Sequence, residues 1–184
     1  MYPSGVPSGV TKWIDLASIR YGVPAGFLAA ICERESSFDP GARNLWDQYK
    51  DKPLEQGRGL AQLSGLDYRG SPYPQYLMGS NDNNLQWRYD MGFSRFGQWI
   101  WMGDVSVMVD PFNPWQNLQR FITCYARPAF YLWKRVYRLP DPETWRATAY
   151  HWNKGLFKPY QASDQSYLKL YDLAIAKYGL AYPS

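Results

Sequence analysis

The chain has 184 residues, a formal net charge of +4, and 18% aromatic residues from 9 Trp, 16 Tyr and 8 Phe. That length can hold one sizeable core, and such aromatic density argues against a disordered chain. No apolar run approaches the ~20 residues that a membrane-spanning helix needs, and the absence of a dense basic arm argues against nucleic acid as partner.

Residues 1–10 are rich in Pro, Gly and Ser and read as an extended lead; residues 11–184 read as one domain. The lead has neither a basic n-region nor an apolar h-region, so a Sec signal peptide is not expected. From Thr11 the pattern turns helical: Trp13, Ala17 and Tyr21 recur every four residues, and Gly22 follows as a cap. A second helix is expected from Pro24 to about Ser37, stopped by Pro40-Gly41. Residues 41–65 are Gly-rich and polar and suit a loop region with at most a small sheet, and residues 66–82 read as mostly irregular. Asn83 to Met102 reads as a helix, with Leu85, Tyr89, Phe93, Phe96 and Ile100 on one stripe. Asn113-Pro114 is a helix start, and Pro128 should kink or split the helix that follows. Two further helices are expected, from Asp141 to about Trp152 and from about Asp164 to Lys177, the last with Tyr167, Leu170, Tyr171 and Ala174 inward. The class is mostly α, or α+β with a minor sheet.

Cys32 and Cys124 both fall in apolar helical patterns. Two cysteines make no disulfide framework, and free thiols acting as small hydrophobes are favoured over a bridge. No metal-ligand spacing, phosphate loop or nucleophilic triad appears, and no cofactor is expected.

The second helix carries the candidate acid. At 100° per residue, Leu28, Ile31, Cys32 and Glu35 share one face, while Glu33 falls about 200° from Glu35 and should be solvated. A carboxyl against apolar neighbours has a raised pKa, because desolvation disfavours the anion. A carboxyl kept protonated near neutral pH is what glycosidic cleavage needs as its general acid. The plainer reading is a glutamate that only bonds a backbone amide or an arginine.

Three later segments bear on that choice: Gly57-Arg-Gly-Leu-Ala-Gln62-Leu-Ser64, Asp110-Pro-Phe-Asn-Pro-Trp-Gln-Asn117, and Ala149-Tyr-His-Trp-Asn-Lys-Gly155. With Glu35-Ser36 first and in that order, they resemble the landmarks of the lysozyme-like lytic transglycosylases and their goose-type lysozyme relatives, over roughly residues 11–160. The resemblance implies an α-rich lysozyme-like domain with a glycan cleft. It implies cleavage of the β-1,4 bond between MurNAc and GlcNAc in peptidoglycan, with Glu35 as acid and then base. By the same resemblance Gln62 lines the cleft, Gly59 and Leu60 let the backbone pass close to the sugar, and the Tyr150 hydroxyl contacts the catalytic carboxyl. Their plain readings are a loop amide, an ordinary turn and a core tyrosine. Ser36 and Asn117 match too and read as structural hydrogen-bonders.

The chain departs from the family at Ala61, where Met is usual, and at His151, Trp152 and Asn153, where Asn, Ala and Gly are usual. His151 and Trp152 would therefore shape the floor of that subsite. Trp46, Tyr49 and Trp152 neighbour the motif residues and are candidate sugar-stacking platforms. Trp99, Trp101, Trp115 and Trp133 stand at helical spacings and read as core.

Two chemistries stay open. In lytic transglycosylases the muramic acid's own 6-hydroxyl attacks, giving a 1,6-anhydro product without a second carboxylate. A hydrolase needs a second group to position water. Asp47, just after Trp46, resembles the water-positioning aspartate of goose-type lysozymes, but Ser64 stands where their second aspartate lies. The plain reading of Asp47, Asp51 and Glu55 is a solvated loop with Lys50 and Lys52. A third reading, of another class, is a non-catalytic glycan-binding virion protein that kept the scaffold. The expected partner is the peptidoglycan glycan strand, and the mild positive charge suits an anionic wall polymer. Without a signal, a wall-lytic domain fits a bacteriophage endolysin, held in the host cytoplasm before release, or a virion-associated enzyme among other virion proteins.

Overall fold

The computed structural model describes residues 5–43, 57–63, 76–78, 85–93, 99–109, 112–154 and 165–181. Within them the protein is mostly helical. Helices α1 (Ser8–Tyr21) and α2 (Ala25–Ser36) come first, and strands β1 (Tyr76–Met78), β2 (Leu85–Phe93) and β3 (Trp99–Val109) follow. Helix α3 (Pro114–Phe121) then runs through a π-helical turn (Ile122–Ala126) into α4 (Arg127–Val136), and α5 (Asp141–Lys154) and α6 (Gln165–Tyr178) close the order.

Helix α1 begins inside the expected extended lead. Pro7 sets the start: its carbonyl accepts from the Val10 and Thr11 amides and from the Thr11 hydroxyl. Val10 is already buried, so core packing draws the first turn inward. Helix α3 starts where the sequence placed it: Asn113 Oδ1 accepts from the Gln116 amide at 3.1 Å, with Pro114 in the first turn. The break expected at Pro128 takes the form of the π-helical turn just before it. A proline inside a helix lacks one amide and crowds the carbonyl four residues back, and a widened turn accommodates both.

Helix α2 is the buried centre. Every residue from Gly26 to Cys32 is inaccessible, and α1 and α6 pack against it. Phe27 sits among rings: Trp145 of α5 at 4.6 Å, Phe121 of α3 at 6.2 Å and Tyr171 of α6 at 6.3 Å. One side chain thus ties three later helices to α2. Truncating a buried phenylalanine typically costs ~3–5 kcal/mol.

Among the described residues of 41–65, Arg43 bridges Arg58 and Arg58 bridges Leu63, and a three-stranded antiparallel sheet, unexpected there, is formed by strands within 76–109 in the order β1-β2-β3. The helix expected over Asn83 to Met102 is therefore corrected to β2 and the first residues of β3, and Trp99 and Trp101 are strand residues. The physical reason is visible in the sequence. Leu85, Trp87 and Tyr89 alternate with polar residues, and Val105, Val107 and Val109 repeat every second position, the period of a strand. No helix among the described residues is long and apolar enough to cross a membrane.

Candidate active site

Glu35 stands on the last turn of α2, half-buried. The Tyr167 hydroxyl, from the first turns of α6, donates to Glu35 Oε1 at 2.9 Å. Burial pushes the Glu35 carboxyl above the usual range, while the Tyr167 bond and the neighbouring Arg34 charge pull back toward the anion. The Tyr167 phenol is itself held well above its ordinary value by burial and by the Glu35 charge, so it stays protonated and serves as donor. The Arg34 guanidinium lies over the Tyr167 ring, 5.2 Å from its centroid.

The backbone beyond Glu35 is strained. Ser37 and Phe38 both take left-handed conformations, with φ of 52° and 65°. Each costs ~1–2 kcal/mol for a residue with a side chain. Local bonds hold them: the Ser37 amide donates to the Glu33 carbonyl, the 5→1 bond of a left-handed cap, and the Phe38 amide donates to the Cys32 carbonyl. Burial of Phe38, edge-on to Tyr178 at 6.2 Å, helps offset the strain. Ser36 Oγ donates to the Cys32 carbonyl at 2.9 Å, a structural role.

Cys32 is a free buried thiol one turn behind Glu35. Burial and the Glu35 charge push it up, so it remains a neutral packing group. Cys124 stands in the π-helical turn, and its side chain lies outside the described ones. Glu33 is on the solvent side as expected, and there it meets Lys177 of α6 at 2.9 Å in an exposed ion pair.

The Gly59–Gln62 segment forms a tight turn. Arg58 and Leu63 exchange backbone hydrogen bonds at 3.1 and 3.0 Å, and the Gln62 amide donates to the Gly59 carbonyl. The turn requires φ of 72° at Gly59 and 53° at Gln62. Gln62 Nε2 donates to the Gly59 and Ala42 carbonyls at 2.9 and 3.3 Å, which ties the side chain down while leaving it partly exposed. Leu60 is fully buried and faces the core, away from solvent. Asn117 of α3 anchors the turn: its Oδ1 accepts from the Ala61 amide at 2.8 Å and its Nδ2 donates to the Arg58 carbonyl at 2.9 Å.

No family model, curated protein or solved structure matches this chain. The site is therefore read from its own residues. Glu35 is brought together with Tyr167, which the sequence placed inward without a role. The only signal for it was its place on the apolar stripe of the last helix. The hydroxyl on Glu35 is thus supplied by Tyr167, whereas the resemblance named Tyr150 for that contact. Tyr150 is buried on α5, edge-on to His151 at 5.0 Å. His151 is 1% exposed and stacked on Trp133 of α4 at 4.4 Å, in the packing between α4 and α5. Trp152 keeps partial exposure, with its ring packed on Phe121 and Tyr125 at 4.9 and 4.6 Å. Trp46, Asp47 and Tyr49 lie outside the described residues. Among the described residues, no group of His, Cys, Asp and Glu is placed to hold a metal ion.

Proposed function

We propose that the protein cleaves the β-1,4 bond between MurNAc and GlcNAc in peptidoglycan, with Glu35 as the proton donor, within a lysozyme-like α+β domain. The observation that carries the reading is the environment of Glu35. It is a half-buried carboxyl with a raised proton affinity, bonded by a protonated tyrosine, at the end of the most buried helix. A solvated structural glutamate needs none of this, whereas a general acid working near neutral pH needs all of it. The ordered motifs at Glu35-Ser36, Gly59 to Gln62, Asn113 to Asn117 and Ala149 to Tyr150 support the same reading.

In the proposed reaction the Glu35 carboxyl gives its proton to the glycosidic oxygen as the bond from the muramic C1 breaks. Tyr167 then stabilises the carboxylate through the hydroxyl it already directs at Oε1. The muramic 6-hydroxyl attacks C1 and returns its proton to Glu35, so one carboxylate serves twice and the product is a 1,6-anhydro sugar. Gln62, with its amide nitrogen held by two carbonyls, keeps its Oε1 for a sugar hydroxyl. Delivery as a bacteriophage endolysin or virion-borne enzyme belongs to the same proposal.

The test is clearing of a purified peptidoglycan suspension by native protein and by Glu35→Gln. Clearing by the native protein alone is expected. Equal clearing by both removes Glu35 from the mechanism, and no clearing by either on several wall types supports a binding protein instead.

A further inference from the structure

The net positive charge of this chain has a single source. Between Asp110 and Asp141 the sequence carries Arg120, Arg127, Lys134, Arg135 and Arg138 and no acidic residue, while the rest of the chain holds one more acid than base. Arg120 is buried and Lys134 pairs with Asp141. The other three lie on or just after α4, and among the described residues none makes an ion pair.

Two of them are arranged about one ring. Tyr131 is 44% exposed. The Arg127 guanidinium lies 5.8 Å from its centroid and that of Arg135 5.3 Å. Spaced at i−4 and i+4, the two arginines share one face of α4, with backbones about 12 Å apart along the axis. Arg138 follows at the exposed helix end. Both guanidiniums lie over the Tyr131 ring, and among the described residues neither they nor Arg138 meet a carboxylate, so the ridge presents forked donors suited to bidentate bonds with carboxylates around a half-exposed phenol.

We propose that this ridge on α4 is a second contact surface for the wall, separate from the Glu35 site. It takes the peptide-bearing glycan strand, with Arg127, Arg135 and Arg138 on stem-peptide carboxylates and the exposed Tyr131 side chain between them. The choice of polymer rests on the proposed wall-cleaving function. The ridge holds the protein on an anionic surface between cleavage events and leaves the chemistry at Glu35 unchanged.

The experiment uses full-length protein carrying Glu35→Gln, so that the wall stays intact, with and without Arg127→Gln, Arg135→Gln and Arg138→Gln together. Glutamine keeps the helix propensity of arginine. Binding is read by co-sedimentation with purified sacculi. Removing the three charges is expected to weaken binding about tenfold or more at low salt, and the difference should shrink as salt rises. Sacculi whose carboxylates have been blocked by carbodiimide amidation stay cross-linked and should show no such difference. In the Glu35 background the triple substitution should leave turnover of short soluble glycan fragments unchanged.

Equal binding by both proteins overturns the proposal, as does an undiminished arginine effect on amidated sacculi. Tighter arginine-dependent binding to a single-stranded oligonucleotide than to sacculi overturns the choice of polymer. If the native protein clears no wall yet binds sacculi through these arginines, the proposed reaction falls and the ridge stands.

Discussion

Asn117→Ala removes both side-chain bonds that hold the Gly59–Gln62 turn to α3. The Ala61 amide loses the acceptor at 2.8 Å, in a residue that is fully buried. An orphaned buried amide costs ~1–3 kcal/mol. The Arg58 carbonyl loses the Asn117 donor but keeps the Leu63 amide, so its loss is nearer ~0.5–1.5 kcal/mol. Together the substitution should destabilise by about 2–4 kcal/mol. For a chain of this size each kcal/mol moves Tm by ~2–4 °C, which makes the expected fall roughly 5–15 °C by circular dichroism. Because the turn carries Gln62, wall clearing below the transition should fall too, more than the unfolded fraction accounts for. A Tm within 2 °C of native would refute the reasoning, since the turn would then be held by something other than Asn117.

Three further outcomes follow from the same contacts. Tyr167→Phe deletes a bond that favours the Glu35 anion, so the alkaline limb of the pH–rate profile should move to higher pH; an unmoved limb would separate Tyr167 from the acid. Glu35 has a raised folded pKa, so the folded state binds its proton more tightly than the unfolded state. Its contribution to stability is therefore full below the ordinary glutamate pKa and is lost as pH rises through the raised value. Denaturant unfolding of native and Glu35→Gln proteins should accordingly show the variant gaining relative stability across that window, and a constant gap would contradict it. Gly26→Ala places a Cβ 1.7 Å from the Gly179 carbonyl oxygen, backbone against backbone. Overpacking of this kind costs ~1–3 kcal/mol or more, to be seen as a lowered unfolding midpoint, and a native midpoint would mean that α6 does not close on α2 there.

Much of the helical frame was legible because local signals and core packing agree. Asn113-Pro114 names a cap and a first turn, and the structure uses both. Gly22 and Pro24 separate α1 from α2 where expected. The segment from Asn83 was misread because dense aromatics satisfy two periods at once. Leu85, Tyr89 and Phe93 recur at four, but Leu85, Trp87 and Tyr89 also recur at two, and the pairing of β2 with β3 decides between them. Both periods are written in β2, and the partner strand that selects the period of two lies beyond it in the sequence. The site divides in the same way. Glu35 was legible because its neighbours on the helical wheel are apolar. Its partner was not, since Tyr167 lies far along the chain and looks like any other inward tyrosine. His151 looked available because it stands beside a motif tyrosine, but only the packing of α5 on α4 shows it stacked on Trp133.

Whether Glu35 drives cleavage of the wall is read most directly by mass analysis of the fragments released from purified sacculi. Muropeptides one water lighter than hydrolysis products, ending in 1,6-anhydro sugars, are expected from the native protein and none from Glu35→Gln. Fragments with reducing ends would transfer the second step to water and turn attention to Asp47. The same fragments from both proteins would remove Glu35 from the reaction.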